Sequence, residues 1–184
     1  MGGGKNEIVD PQKVWDKNGM CRFIIAQDCA HSISKLKNEI REIYRFETFE
    51  ITNNIRETRI VANAIFNPNS VHFLNNARPT RYHKSYQLIK SFRRLLEERK
   101  CDLNKYIIDS SMVLAMYGIR PAADLDYYTI EPQNEIIKSD WFEEHDSIQR
   151  SYYDSKIEEL VTDPCSYFMF NELKFVSIKR LLNL

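Results

Sequence analysis

The stretch from Lys105 to Tyr128 constrains this chain most, because it sets a buried strand, a turn, a short helix and an acidic strand in one fixed order. Tyr106-Ile-Ile is apolar enough for a covered strand, and a small polar turn, Asp109-Ser-Ser, follows it. Met112 to Tyr117 predicts a short apolar helix, ended by Gly118 as a left-handed C-cap. Pro121 then fixes a tight connection into Asp124-Leu125-Asp126. Alternate side chains of an extended chain share a face, so Asp124 and Asp126 are expected to converge on one point. Two adjacent carboxylates repel unless something positive lies between them. A divalent cation, Mg²⁺ or Mn²⁺, is the simplest candidate, since hard cations take carboxylate oxygens. Ser110 and Ser111, at a helix start, offer amides and hydroxyls to phosphate oxygens. Arg120 offers a guanidinium suited to bidentate phosphate contact.

The rest of the chain bounds what surrounds that stretch. At 184 residues it is long enough for one domain with a real core. Its 26 basic and 26 acidic residues cancel, so a polyanionic partner would have to be met by a local patch. Four cysteines without metal-ligand spacing, and a start without an apolar leader, point to a reducing, cytoplasmic setting with no disulfide partner. No apolar run approaches the length of a membrane span.

Residues 1–20 read as a flexible lead-in and 21–100 as a mostly helical part. Residues 101–184 read as the core, packed as one unit with the part before it. A strand is expected at Arg22–Ala26, a helix from Asp28 through Ile43, and a further strand from Phe46 to Thr52. Asn54-Ile-Arg-Glu57 resembles a capping-box helix start, and Asn67-Pro-Asn-Ser reads as a stop. Val71 to Tyr82 reads as irregular, and Lys84 to Arg99 as a helix whose Lys90, Arg93 and Arg94 read most simply as a solvated face, with phosphate contact to a polyanionic acceptor as the alternative. The acidic segment after Asp140 predicts a helix from about Phe142. Asn171-Glu172 predicts a two-residue hairpin turn, and Ile178 onward a last helix. The histidines, His145 included, have no partner at a recognisable spacing and read as surface or core residues. The fold class expected is α+β, a small mixed sheet with flanking helices and a helix-rich N-terminal half.

The order of elements in the opening stretch resembles the nucleotidyltransferase superfamily of the polymerase-beta type, and within it the abortive-infection toxin branch. That signature is a strand, a Gly-Gly or Gly-Ser turn, a helix, and an acidic-apolar-acidic strand about a dozen residues on. Ser110, Ser111, Leu114, Gly118, Arg120, Asp124, Leu125 and Asp126 fall at corresponding places. The resemblance implies a small mixed sheet of nucleotidyltransferase type and a Mg²⁺-dependent enzyme. Such an enzyme would move a nucleotidyl group from a nucleoside triphosphate to an acceptor that the sequence does not identify. It also implies Asp124 and Asp126 as catalytic metal ligands, Ser110, Ser111 and Arg120 on the phosphates, and Lys174 as a later phosphate contact. Ser110 departs from the glycine of that pattern. The third carboxylate of the pattern has only Asp140 and Glu172 as candidates. Two alternatives share the diacid: a D-x-D glycosyltransferase using a nucleotide-sugar, and a non-catalytic nucleotide-binding module of the same fold.

Overall fold

The computed structural model describes residues 33–44, 52, 54–131, 139–145 and 151–182. The chain divides into two compact units, residues 1–55 and 56–184. In the first, helix α1 spans Ile33–Tyr44, where Ile40 and Ile43 recur at helical spacing. The expected lead-in and the strand at Arg22–Ala26 lie outside the described residues. So does most of the expected strand from Phe46 to Thr52.

The second unit is the α+β fold the sequence predicts. It has helices α2 (Ile55–Ile65), α3 (Pro68–Asn76), α4 (His83–Glu98), α5 (Ser110–Met116), α6 (Ile157–Thr162) and α7 (Ile178–Leu182). Its strands are β1 (Tyr106–Ile108), β2 (Leu125–Thr129), β3 (Phe142–Glu144), β4 (Tyr167–Phe170) and β5 (Leu173–Val176). They form one mixed sheet in the order β3-β2-β1-β5-β4. β1 is antiparallel to β2 and parallel to β5, β3 is parallel to β2, and β4 is antiparallel to β5.

Both faces of the sheet are covered, which is why β1 and β5 are buried throughout and do not alternate. On one face Phe92 of α4 meets Tyr127 at 5.0 Å and Phe142 at 5.2 Å. Phe73 of α3 stacks on Phe168 at 4.3 Å, and Phe168 stacks on Phe175 at 5.1 Å. Tyr117, just past α5, meets Phe73 edge-on at 5.3 Å, so α5 belongs to this layer. The opposite face carries Tyr128, with His145 at 4.9 Å and Tyr153 at 6.1 Å, and Lys174, whose ammonium reaches the Val161 carbonyl of α6.

Two segments differ from the sequence reading, each for a local reason. Asn67-Pro68 does stop one helix, since α2 ends at Ile65, but it also starts the next. The Asn67 side chain accepts from the amides of Asn69 and Ser70, and Pro68 takes the first helical position, where its missing N–H costs nothing. Val71 to Asn76 are therefore helical. Phe142–Glu144 is a strand, with Leu125 opposite Phe142 and Asp126 opposite Glu143. Three residues are too few to show a period, and pairing with β2 decides their conformation. Among the described residues of that acidic region, the helix is α6, Ile157–Thr162.

The β4–β5 turn falls where the sequence puts it. Asn171 (φ 52°) and Glu172 (φ 64°) both adopt the left-handed region that a two-residue hairpin of this twist requires. Glutamate is a poor residue for that conformation, and two arginines hold it there. Arg56 donates to its carboxylate twice at 2.9 Å, and Arg93 lies 2.6 Å from it.

Candidate active site

The site forms where β1 ends beside β2. The backbone N–H of Asp109 donates to the Asp126 carbonyl at 2.9 Å, continuing the ladder that sets Ile108 opposite Tyr127. Asp109 and Asp126 thus stand directly across from each other, an arrangement that destabilises a sheet when both are charged. Between them lies His145, held just past β3 by its own N–H on the Tyr127 carbonyl at 3.0 Å. Its Nδ1 is 3.6 Å from Asp109 Oδ2, and its Nε2 is 3.6 Å from Asp126 Oδ2. These are ion-pair contacts, longer than hydrogen bonds. Tyr153 completes the group by donating its hydroxyl to Asp109 Oδ1 at 2.6 Å.

Burial and charge act in opposite directions on the imidazole. Its side chain is only 8% exposed, and burial alone would lower its pKa. The carboxylates of Asp109 and Asp126 outweigh that and push it up to about 9, so His145 is an imidazolium at neutral pH. The Tyr153 hydroxyl is pushed up by burial and then by Asp109, which keeps it a proton donor to that carboxylate. Aspartate before a helix usually caps it, but Asp109 makes no side-chain cap to α5. Its oxygens serve Tyr153 and His145 instead.

The residues singled out from the sequence fall in three places. Ser110 and Ser111 form the turn into α5, beside Asp109. Ser110 has φ 56°, the left-handed conformation that glycine supplies most readily, at the very position where the resembling pattern has glycine. The Ser111 hydroxyl is buried and has no hydrogen-bond partner among the described residues. Asp126 is the second residue of β2, while Asp124 is half-buried in the bend just before that strand. Arg120 is exposed two residues past Gly118, at the far end of α5 from the serines.

Lys174 does not open toward the diacid. Its ammonium donates to the carbonyls of Asn104 (2.7 Å) and Val161 (2.6 Å) and sits over the Tyr167 ring at 4.8 Å. Burial lowers its pKa, as expected for an amine with carbonyl partners instead of a carboxylate. Of the two acids considered for a third carboxylate, Glu172 is taken by Arg56 and Arg93 at the hairpin turn. Asp140 is exposed in the turn before β3. The acid in register with Asp126 is Glu143, exposed on the neighbouring strand.

The charge beside Asp126 is thus supplied by a histidine that sequence reading left without a role. Only the position of Asp109, directly after an apolar strand and before a helix start, was open to recognition as a site signal. His145 and Glu143 owe their places to a strand that the sequence does not announce, and Tyr153 to a segment with no periodic signal. Among the described residues no three His, Cys, Asp or Glu side chains are grouped closely enough to hold a metal ion by themselves. Cys101 and Cys165 are free thiols, and no described helix is long and apolar enough to cross a membrane.

Fold and site together define a mixed-sheet α+β domain with an acid–imidazole–acid cluster beside a serine turn. No family model, curated protein or solved structure matches the chain.

Proposed function

We propose that the protein is a Mg²⁺-dependent nucleotidyltransferase acting on a nucleoside triphosphate. The observation that carries this reading is the left-handed Ser110 between β1 and α5, with Asp126 on the next strand. A turn of this kind lets backbone amides approach a phosphate closely. The buried Ser111 hydroxyl beside it supplies a donor that no described residue accepts from.

The donor set suits Mg²⁺, which is usually held by one or two carboxylates together with substrate phosphates and not by a closed protein cage. Asp124 and Asp126 would hold it, with Glu143 the acid in register on β3. When bound, the ion neutralises triphosphate charge and orients the leaving group. The chain's own residues do the rest. Ser110 and Ser111 take phosphate oxygens, while Arg120, past the other end of α5, stands apart from them. Tyr153 and Asp109 fix His145, and His145 fixes the Asp126 carboxylate. Lys174 supports this site from within the core, through the Asn104 and Val161 carbonyls. The reaction class is displacement at the α-phosphorus with release of pyrophosphate.

The mixed sheet, with β1 and β2 antiparallel, favours this reading over a glycosyltransferase, whose diacid follows a parallel nucleotide-binding sheet. A non-catalytic nucleotide-binding module is the second reading, and His145 favours it by already neutralising Asp126.

Thermal stabilisation by the four nucleoside triphosphates and several nucleotide-sugars, with and without Mg²⁺ or Mn²⁺, tests the assignment. A triphosphate response that needs the metal and vanishes in Asp124→Asn/Asp126→Asn is expected. A metal-independent response unchanged in that variant supports the non-catalytic module, and a selective nucleotide-sugar response supports the glycosyltransferase. Silence toward all of them overturns all three.

A further inference from the structure

The chain is neutral as a whole, but its charge is unevenly spread. Residues 58–96 contain seven Lys and Arg and no Asp or Glu, which leaves 19 basic against 26 acidic residues elsewhere. The structure sorts these cations into two groups. Arg93 and Arg94, the pair most conspicuous in the sequence, are engaged by Glu97, Glu172 and Glu98. Arg78 and Arg81, in the loop between α3 and α4, are exposed and form no ion pair with any described residue, and the same holds for Arg120 on the α5–β2 connection.

These three arginines meet at one corner. Gly118 is buried with φ +73°, and a Cβ placed on it would lie 2.8 Å from Arg78 Cβ and 3.2 Å from Arg81 Cδ. The Arg81 guanidinium donates to the Gly118 carbonyl at 2.8 Å, and the Tyr82 hydroxyl to the Ile119 carbonyl at 3.1 Å. The Ser85 hydroxyl accepts from the Ala122 N–H (3.0 Å) and donates to the Ala122 carbonyl (3.1 Å). The two loops are therefore strapped together, and their cations are held on a stiff frame. From this corner the outer side of α4 continues with exposed Lys84, Gln87, Lys90 and Ser91.

We propose that this corner and the outer side of α4 bind the phosphodiester backbone of a nucleic acid strand. Exposed guanidiniums with no acidic partner among the described residues suit phosphate oxygens, which accept bidentate contacts. Between the cations on α4 lie Gln87 and Ser91, hydrogen-bonding side chains where a membrane-binding helix would need apolar ones. From Lys84 to Lys90 the stripe runs about 9 Å at ~1.5 Å per residue, so with the corner it can follow several successive phosphates. The inference does not depend on the diacid, because the corner lies at the opposite end of α5 from Ser110.

The test is fluorescence anisotropy with a labelled 20-nucleotide RNA, and a DNA duplex and phosphatidylserine vesicles as further arms, over a salt series. Arg78→Gln/Arg120→Gln removes two charges while leaving the Arg81 bond to Gly118 intact. Lys156→Gln/Lys179→Gln removes the same charge from exposed positions elsewhere. Each phosphate contact contributes about 0.7 to the logarithmic salt slope for a single strand. The corner variant is expected to lose about 1.4 of that slope and at least roughly tenfold in affinity, and the control variant neither. Binding retained in Asp124→Asn/Asp126→Asn separates this surface from the diacid site, and a duplex that binds more tightly than the RNA identifies the strand as DNA. Equal loss in the two charge variants, absence of binding, or binding confined to the vesicles overturns the proposal.

Discussion

Replacing His145 by glutamine measures how much the acid–imidazole–acid cluster is worth. In the folded protein the two carboxylates hold the imidazole at about 9, above its ordinary 6.5. A group whose pKa rises on folding stabilises the fold when protonated. Its contribution is fully present below pH 6.5 and is lost as pH climbs through 9. At 1.36 kcal/mol per tenfold change in proton affinity, that contribution is about 3 kcal/mol. Urea unfolding at pH 6 and pH 9.5, in chelator, gives the pH dependence for wild type and for His145→Gln. Other groups that titrate in this range cancel in the difference between the two proteins. Wild type should lose about 3 kcal/mol more than the variant between the two pH values. At pH 6 the variant should also be the less stable protein, because it leaves Asp109 and Asp126 opposed with no cation between them. Parallel pH profiles would refute the reasoning and place the imidazole outside the field of one or both aspartates.

Three further substitutions probe separate parts of the frame. Gly118→Ala combines a left-handed backbone with a close contact at Arg78 Cβ, an atom tied to its own backbone. The expected cost is about 2–4 kcal/mol, a melting point lowered by about 8 °C in a chain of this size, and an unchanged melting point counts against the packing described. Lys174→Met strips the donor from one buried and one partly buried carbonyl, so a loss of about 2–3 kcal/mol in urea unfolding is expected. Full stability with weakened triphosphate binding would instead return Lys174 to the nucleotide. Asn67→Ala removes the α3 cap together with side-chain bonds to the Pro164 and Tyr167 carbonyls. About 2–3 kcal/mol should be lost by denaturant unfolding, and a loss below about 0.5 kcal/mol would mean that water replaces those bonds.

What could be read from the residues follows from where the determining forces act. β1, α5, β2 and the β4–β5 hairpin are set by local pattern and turn chemistry, so Tyr106–Ile108, Gly118 and Asn171-Glu172 declare themselves. The loose points are those decided at long range. Phe142–Glu144 is a strand only because β2 offers it an edge, and His145 reaches the two aspartates only as a result. Asn67 carries a cap signal, yet Asn-Pro also marks turns, and the contact with the β4 side that resolves the ambiguity lies 97 to 100 residues away. The positive group the structure shows is not the divalent cation expected between Asp124 and Asp126 but the His145 imidazolium. It sits between Asp109 and Asp126, because the ladder places those two opposite each other while Asp124 lies in a bend.

The central position of β1 has a consequence for how the protein is made. One edge of β1 is filled by β2, which follows closely, and the other by β5, whose Lys174 lies 70 positions beyond Asn104. At the ribosome's pace of ~5–20 residues per second, that interval lasts roughly 4–14 s. For those seconds the nascent chain carries Asp109 and Asp126 on a half-built sheet, with the apolar Tyr106-Ile-Ile edge unpaired and able to accept a strand from another copy. The same strand that anchors the finished site is thus the point at which a chaperone would have to shield the growing chain.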